Sequence, residues 1–335
     1  MFCFLGLELS ILKNMTHSSV DERRSAKTSL AERLKPRIAV EEHFARLGHT
    51  YRHGKGFRIF EHYFMRPALK IGLRAVGLYP TGRRNALSPV VRQIILRCPH
   101  LPAAFDGFRV LHVSDFHIDG VDGLAEALVP VLAGISADLC VFTGDYRFED
   151  RGPFTAVYPR MRKVVDAISA EHGILGILGN HDPAEIVWGL EALGVRMLVN
   201  ETVEIRCGAD SLWVAGVDDP FDYRCDDLEA ALEGVPPNAF KLLLAHAPEI
   251  YQTAADQGVD LYLSGHTHGG QIRLPFIGAV KHNANCPKEF RHGLWKHAGM
   301  HGYTTAGVGC SSVPVRFNCP PEIVLFELKY AQPRA

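Results

Sequence analysis

From residue 107 onward, the hydrophobic and polar positions alternate between short apolar runs and amphipathic helical segments. "FRVLHVSD", "ADLCVFTGD" and "FKLLLAHAPE" are apolar runs that end in polar residues, a pattern typical of buried strands. Segments such as "LAEALVPVLAGI" and "AVYPRMRKVVDAISAE" lie between such runs and have the apolar spacing of helices. This alternation predicts an α/β fold, and "PEIVLFELK" near the end predicts additional β-structure.

The chain before residue 107 has a different pattern, which divides it into two regions. The first is polar and expected to be partly disordered, although "SLAERLKPRIAVEEHFARL" is compatible with a broken helix. Ser29 and Glu32 have the spacing of a capping box at its start, and Pro36 would interrupt it. The second region predicts a basic amphipathic segment and a linker. The predicted regions are 1–50, 51–106 and 107–335.

The basic segment is also rich in aromatic residues. Residues 51–100 contain ten Lys or Arg and a single acid, Glu61. Apolar residues on either side of Pro67 can share faces of short helices. This pattern is typical of an element that binds an anionic membrane surface or a partner, and the alternative is that its apolar side packs on the main domain. The apolar and aromatic residues concerned are Phe57, Ile59, Phe60, Tyr63, Phe64, Leu69 and Leu73.

Charge and cysteine content narrow the class of protein. The 335 residues carry a net charge of −1, but residues 1–100 hold 18 Lys or Arg against 7 Asp or Glu. This asymmetry suggests that the beginning of the chain meets something anionic. Eight cysteines without a CxxC pair indicate mostly reduced thiols in a cytosolic setting, with scattered disulfides as the alternative.

Membrane attachment is the next question that the sequence raises. No apolar stretch is long enough to predict a transmembrane helix. The start, "MFCFLGLELSILKNM", is apolar but lacks the basic region and cleavage site of a secretory signal peptide. It is either an interfacial anchor or a segment upstream of a true start at Met15. The expected location is the cytoplasm, with peripheral attachment to the inner membrane as an option.

Five of the predicted strands end in residue types that bind metal ions. Ligands gather beyond the carboxyl ends of strands in α/β sheets, so these side chains are expected to converge. Carboxylate oxygens and imidazole nitrogens suit first-row divalent metals, whereas the cysteine of structural zinc sites is missing from these segments. The residues are Asp115 with His117, Asp145, Asn180 with His181 and Asp182, His246, and His266 with His268.

The spacing of these residues has a physical reason. In Asp-x-His and His-x-His, alternate residues at an extended strand end point the same way, so two ligands can face one metal or two adjacent metals. Glycines beside them allow positive φ and close approach of the backbone. Each of the five strand-end segments alone is a common sequence, whereas all five in this order predict a metal site. The glycines are Gly144, Gly179, Gly265, Gly269 and Gly270.

The series D-x-H, G-D, G-N-H-D, H and G-H-x-H resembles that of the calcineurin-like metallophosphoesterase superfamily, over about residues 107–330. "GHTHGGQIRLP" and the tail "YTTAGVGCSSVPVRFNCPPEIVLFEL" resemble the bacterial, often membrane-associated phosphodiesterase branch. The resemblance implies a four-layer α-β-β-α sandwich of two mixed β-sheets flanked by helices, here with an N-terminal helical basic extension. It also implies that 107–335 is the catalytic domain.

The resemblance implies two divalent metal ions, with Mn²⁺ expected and Fe, Zn, Co or Mg as alternatives. Asp145 would bridge them, and a shared hydroxide would hydrolyse a phosphodiester or pyrophosphate without a protein nucleophile. One ion would be bound by Asp115, His117, Asp145 and His268. The other would be bound by Asp145, Asn180, His246 and His266.

Further roles follow from position beside the expected ligands. In similar enzymes the histidine at His181 acts at the leaving group or on a phosphoryl oxygen, as general acid or electrostatic stabiliser. Asp182 would orient it, with a turn or cap role before Pro183 as the alternative. Arg147 could clamp phosphate or pair with a neighbouring acid, and Arg273 could meet substrate or remain solvated. The candidate substrate contacts are Asn180, Tyr146, Arg147 and Arg273.

The substrate is less constrained than the chemistry. The basic flank favours a lipid-linked or small phosphodiester at the membrane surface. The resemblance to the bacterial phosphodiesterase branch implies UDP-2,3-diacylglucosamine of lipid A biosynthesis as the specific candidate. The alternatives are a nuclease or cyclic-nucleotide phosphodiesterase, and a non-catalytic interaction protein on the same scaffold. No obligatory nucleic-acid or protein partner is expected. The acidic stretch 218–227 is either a solvated turn or a border of the cleft.

Overall fold

The computed structural model describes residues 28–47, 64–279 and 283–331, and its elements are numbered in chain order. The strands are β1 (Val90–Cys98), β2 (Arg109–Val113), β3 (Ser136–Ala137), β4 (Leu139–Phe142), β5 (Ser169–Ala170), β6 (Ile174–Gly176), β7 (Val195–Met197), β8 (Glu201–Cys207), β9 (Asp210–Gly216), β10 (Phe240–Leu244), β11 (Leu261–Ser264), β12 (Arg273–Leu274), β13 (Gly278–Ala279), β14 (Gly293–His297), β15 (Met300–Thr304) and β16 (Glu322–Tyr330). The helices are α1 (Leu30–Arg33), α2 (Lys35–Leu47), α3 (Arg66–Ala75), α4 (Tyr79–Ala86), α5 (Leu124–Leu132), α6 (Val157–Asp166), α7 (Ile186–Ala192), α8 (Leu228–Ala231) and α9 (Tyr251–Asp256).

Two mixed sheets of six strands each form the centre of the domain. The first has the order β1-β16-β2-β4-β6-β7, and the second has the order β14-β15-β11-β10-β9-β8. In the first sheet only β16 and β2 pair in antiparallel fashion, and in the second sheet β14 and β8 run against their neighbours. Parallel neighbours such as β2, β4 and β6, or β10 and β11, bring their carboxyl ends to one edge, where the following loops can converge.

Alternate side chains of the central strands pack into different layers of the core. Val110 and Val141 lie between the two sheets, whereas Leu111 and Phe142 pack with residues of α5, α6 and α7 on the outer side of the first sheet. Leu243 of the second sheet packs with residues of α8 and α9 on its own outer side. The layers are therefore helices, sheet, sheet and helices, which confirms the predicted four-layer α/β sandwich.

Strand β1 corrects the predicted start of the main domain at residue 107. Its register with β16 is parallel throughout, from Val90 opposite Glu322 to Cys98 opposite Tyr330. Most of its side chains are exposed or half-buried, because it lies at the edge of the sheet. Its sequence, "VVRQIILRC", therefore lacks the continuous apolar run of a buried strand. The first sheet therefore begins within the region that the sequence assigned to a basic segment and linker.

The N-terminal helices have the predicted break. The side chain of Ser29 accepts a hydrogen bond from the backbone amide of Glu32 (3.3 Å) at the start of α1. Helix α2 begins at Lys35, directly before Pro36, and Pro67 lies in the first turn of α3, where its missing amide costs nothing. Predicted features outside the described residues are the apolar start 1–15 and the side chains of Phe57, Ile59, Phe60 and Tyr63.

The described residues contain seven cysteines, and each of them is a free thiol, as the absence of a CxxC pair predicted. Within the same ranges, no helix combines the length and the apolar character that a membrane-spanning segment needs.

Candidate metal centre

The seven predicted metal ligands lie in loops that directly follow five strands. Asp115 and His117 follow β2, Asp145 follows β4 and Asn180 follows β6, all in the first sheet. In the second sheet, His246 follows β10, and His266 and His268 follow β11. All seven side chains are buried. Buried carboxylates and imidazoles that face one another need a compensating partner, and a cation provides one.

One group of four side chains directs its donor atoms into a single small volume. His117 Nε2 lies 3.4 Å from Asp145 Oδ2, and His268 Nε2 lies 3.4 Å from Asp115 Oδ1. The two imidazoles meet at 3.2 Å between their Nε2 atoms. One ligand atom from each of the four residues lies within 4.8 Å of the others, so the group is close enough to share one ion.

A second group shares Asp145 with the first. His246 Nε2 lies 3.3 Å from Asp145 Oδ2 and 3.0 Å from Asn180 Oδ1. His266 Nδ1 lies 2.9 Å from the same amide oxygen and 3.3 Å from His246 Nε2. Asp145 is thus placed between two adjacent clusters of oxygen and nitrogen donors, which is the position of a bridging carboxylate.

The backbone at the ligands is strained. Five of the ligands have positive φ angles, a region that residues other than glycine rarely adopt. Such conformations cost free energy and persist where the surrounding structure enforces them, typically at functional sites. The angles are 52° for Asp115, 38° for His117, 58° for Asp145, 67° for His266 and 52° for His268.

Two glycines let the ligand loops approach each other. A Cβ atom at Gly179 would lie 2.3 Å from Asp145 Oδ1, and one at Gly265 would lie 2.2 Å from Asp115 Oδ2. Any larger residue would therefore push a carboxylate out of place. Gly179, beside Asn180, and Gly265, beside His266, thus permit the close approach of the backbone that the sequence predicted for such glycines.

The pKa values of the buried histidines shift in opposite directions. Burial lowers the pKa of His266 to about 3, with the neighbouring His246 acting in the same direction, and burial likewise lowers the pKa of His268. Burial also opposes protonation of His246, but Asp145 and Asp115 raise its pKa to about 10. Neutral imidazoles are the form that metals bind, and Asp145 supplies the anionic charge. This donor set fits divalent cations.

His181 lies beside the ligands and has a fixed orientation. Its Nδ1 lies 2.6 Å from the carbonyl oxygen of Phe148, so Nδ1 carries the proton and Nε2 is the position that gains or loses one. The ring packs against that of His117 with 4.7 Å between centroids. The Phe148 carbonyl therefore takes the orienting role that the sequence predicted for Asp182.

Asp182 instead braces the backbone. Its carboxylate accepts hydrogen bonds from the amides of Asp145 (2.8 Å), Tyr146 (2.9 Å) and Gly179 (2.9 Å). The side chain is fully buried, so it is out of reach of a substrate. This arrangement corresponds to the alternative turn role and corrects the predicted catalytic one.

Two residues predicted to contact substrate, Tyr146 and Arg147, are instead buried in the protein. Tyr146 is fully buried with its ring stacked on Phe116, so it belongs to the core. Arg147 is buried and donates to the carbonyl oxygens of His181 (2.5 Å), Asp150 (2.6 Å) and Gly152 (3.0 Å), so its guanidinium supports a loop. Both predictions are corrected for the same reason, because the local sequence did not reveal that these side chains turn inward.

Arg273 and Asn180 lie beside the clustered donors, and their predicted contact with substrate stays a prediction. Arg273 is half-buried and donates to the carbonyl oxygen of Gly269 (3.1 Å), next to His268. Asn180 donates from Nδ2 to Asp222 Oδ2 (3.0 Å), which turns its oxygen toward the histidines. The sequence offered Asp222 only as part of an acidic stretch, with no periodicity to distinguish it.

Comparisons with known proteins agree with this geometry. The family model described as calcineurin-like phosphoesterase matches residues 108–270. The chain is 34% identical to the uncharacterized metallophosphoesterase YkuE of Bacillus subtilis over 68% of this chain and 82% of that protein. It is 29% identical to the phosphodiesterase YaeI of Escherichia coli over 66% of this chain and 82% of that protein. The chain therefore belongs to the calcineurin-like metallophosphoesterase family and is a metal-dependent phosphoric ester hydrolase.

Proposed function

We propose that the protein is a two-metal phosphodiesterase that hydrolyses a phosphodiester or pyrophosphate bond in a lipid-linked substrate at a membrane surface. The observation that carries the proposal is a buried pair of donor clusters, joined at Asp145, beside exposed apolar and basic elements.

The two ions would be bound by the seven side chains already described, with Mn²⁺ as the expected metal. Divalent ions supply, when bound, a water of lowered pKa and positive charge next to the phosphoryl oxygens. Asp145 contributes to both positions, and its ionised form is favoured because burial is outweighed by His246, His181 and His117, which hold its pKa well below the usual value.

His181 would deliver a proton to the leaving group. Its Nδ1 is held by the Phe148 carbonyl, so the transferable proton sits on Nε2. The His181 backbone amide donates to Asp145 Oδ1 at 2.8 Å, which ties the position of the acid to that of the bridging carboxylate. A positioned acid of this kind contributes roughly 10²–10⁴-fold to rate.

Helix α3 supports contact with a lipid surface. None of its residues is buried, and Ile71 is 65% exposed. Phe64 and Val76, which flank the helix, are 63% and 67% exposed. Basic residues of α3, Arg66, Lys70 and Arg74, accompany them. An exposed apolar face with cations matches an interface of anionic headgroups and acyl chains.

The hairpin of β12 and β13 supports the same contact from another part of the chain. Phe276 at its tip is fully exposed, and Ile277 is 74% exposed. The hairpin starts at Arg273, whose guanidinium reaches the Gly269 carbonyl beside His268. Isolated apolar side chains are common on surfaces, but a run at a loop tip next to a catalytic centre points to a binding surface.

Both apolar elements are anchored near the metal centre. Arg66 of α3 pairs with Glu149 at 3.5 Å and lies over the ring of Phe148, the residue whose carbonyl orients His181. Helix α4 packs its Gly82 against Val315 and Phe317, and the Phe317 carbonyl accepts from the amide of Arg273 (2.9 Å). One segment of chain therefore connects the α3–α4 pair with the hairpin.

A turnover screen with vesicles tests the proposal. Purified protein with Mn²⁺ is assayed on phosphomonoesters, soluble diesters, cyclic nucleotides, single-stranded DNA and nucleoside-diphosphate lipids, including UDP-2,3-diacylglucosamine in anionic vesicles. We expect diester or pyrophosphate cleavage that is fastest for the lipid substrates. Preferred cleavage of DNA or cyclic nucleotides would show that the substrate is not a lipid. Turnover no higher than that of Asp145→Ala would show that the protein is not a hydrolase of these substrates.

A further inference from the structure

Helix α2 buries a charge and exposes an aliphatic side chain. Arg37 has 0% exposure, whereas the adjacent Ile38 is 40% exposed. Burying a guanidinium is costly unless it is paired and hydrogen-bonded, so such an inversion requires specific partners. Glu41 of the same helix lies 3.4 Å from Arg37 Nε, and the other partners of Arg37 belong to the loops around the candidate metal centre.

The first set of contacts grips the loop that carries Asn180 and His181. Arg37 Nη2 donates to the carbonyl oxygens of Gly179 (2.6 Å) and Asp182 (2.5 Å), which flank these two residues. One turn later, Glu41 accepts a hydrogen bond from the amide of Ala184 (2.8 Å). Helix α2 thus holds both the start and the end of the loop.

The second set of contacts reaches Asn180 from the other side. Arg37 Nη1 pairs with Asp218, which is also buried, and the guanidinium lies 3.8 Å from the ring centre of Tyr223. Asp218 accepts from the amide of Asp219 (2.7 Å), and Asp219 accepts from the amide of Asp222 (2.7 Å). These bonds shape the loop that contains Asp222.

Both sets of contacts converge on one side chain. Gly179 directly precedes Asn180, and Asp222 accepts from Asn180 Nδ2, which directs Asn180 Oδ1 to His246 and His266. Partners behind a metal ligand fix its orientation and affect metal affinity. Arg37 is the common origin of the two chains of contacts.

We propose that Arg37 is a positioning residue for the metal centre, through which the N-terminal helix α2 orients Asn180 and fixes the loop of His181. Arg37 lies outside residues 108–270, which match the family model. The active centre then depends on a residue about 70 positions before the region that matches the family model. The inference rests on the proposed two-metal site and concerns only the half that contains Asn180.

Metal titration of metal-free full-length protein tests this role. We expect the wild type to bind two Mn²⁺ ions by calorimetry. In Arg37→Met, the affinity of one site should fall by about 10–100-fold while that of the other stays unchanged, because Asn180 is the only predicted ligand in the loop that Arg37 holds. The same loss should appear in a His268→Ala background, where the Asn180 site is the intact one.

The matched control is Arg46→Met, which removes an exposed arginine from the same helix. It should leave both affinities, the kcat and the KM unchanged. Arg37→Lys keeps the charge but cannot form the forked contacts, and it should give an intermediate loss even if Arg37→Met does not fold.

A double variant separates the positioning role from a purely structural role, in which metal affinity would follow thermal stability. The double variant Arg37→Met with Asp218→Asn removes both buried charges, and it should regain thermal stability without regaining metal affinity. Recovery of both, or equal weakening of both metal sites, would overturn the inference. If the wild type binds two ions and Arg37→Lys binds them with the same affinities, the role of Arg37 is overturned but the proposed function stands. If the wild type binds no metal, both the role of Arg37 and the proposed function are overturned.

Discussion

Asn180 donates a hydrogen bond from Nδ2 to Asp222 Oδ2 at 3.0 Å, and this contact decides which end of its amide faces the metal centre. Its Oδ1 then lies 3.0 Å from His246 Nε2 and 2.9 Å from His266 Nδ1. The carbonyl oxygen, and not the NH₂ group, has lone pairs that a cation can accept. Asp222 therefore fixes the orientation of Asn180, a predicted ligand of the candidate metal centre.

Asp222→Ala should weaken metal binding without removing a ligand. With the acceptor gone, the Asn180 amide is free to turn, and we expect the affinity of the Asn180 site for Mn²⁺ to fall by about 10–100-fold. Calorimetric titration of metal-free protein measures the effect. Asp166→Ala, on the exposed face of α6, is the matched control. An affinity equal to that of the control would show that the contact does not orient Asn180.

Asp145→Asn should abolish hydrolysis. The change removes the negative charge that both donor clusters share, so one cluster keeps only the carboxylate of Asp115 and the other keeps none. We expect kcat/KM on bis-p-nitrophenyl phosphate to fall by roughly 10³-fold or more, about 4 kcal/mol of transition-state stabilisation. Metal content measured on the same samples should fall from two ions. Full activity with two ions bound would contradict the bridging role.

His181→Gln should affect the reaction according to its leaving group. We expect kcat to fall by about 10²–10⁴-fold for alkyl phosphodiesters, which need a proton, and much less for p-nitrophenyl esters. The Mn²⁺ stoichiometry should stay at that of the wild type, because His181 is not among the clustered donors. His100→Gln, an exposed histidine, serves as control. Equal losses for both kinds of substrate would argue against a general acid.

Glu249→Gln should stabilise the protein at neutral and alkaline pH but not at pH 4.5. Burial raises the pKa of Glu249 to about 7, and one carboxylate oxygen is buried without a partner, whereas the other accepts from the Asn285 amide at 2.9 Å. The folded state therefore holds a proton that the unfolded state releases at lower pH, so stability falls as pH rises from about 4.5 to 7.

A glutamine does not ionise and avoids this loss. We expect a gain of about 1–2 kcal/mol at pH 8, or roughly 2–6 °C in the midpoint of thermal unfolding, and no gain at pH 4.5. Scanning calorimetry at both pH values measures the difference. The same shift at both pH values would assign the effect to packing.

Ile71→Glu with Phe276→Glu should release the protein from membranes. The two changes place charges on α3 and on the hairpin tip, so sedimentation with anionic vesicles should decrease while turnover of a soluble diester stays constant. Trp188→Glu, a charge placed on the exposed part of α7, should leave sedimentation unchanged. Equal binding of all these variants would remove the membrane from the proposed function.

The ligand positions were predictable because their signals are local. Asp115, Asp145, Asn180, His246 and His266 each follow an apolar strand, and parallel strands necessarily bring their carboxyl ends to one edge. Strand β1 was missed because an edge strand carries little apolar pattern, and the inward turn of Tyr146 and Arg147 was missed because adjacent loop residues give no period to read.

The sequence by itself determined the alternation of strands and helices and the chemical types of the predicted metal ligands, since periodicity and residue type act over a few neighbouring positions. The four layers were implied by the family resemblance. Only the tertiary structure decided how those ligands are held. Arg37 and Asp182 are 145 positions apart, and Asn180 and Asp222 are 42 apart. Contacts at such separations depend on how the layers pack against one another, and a polar side chain in the sequence gives no sign of which distant carbonyl or carboxylate it will meet.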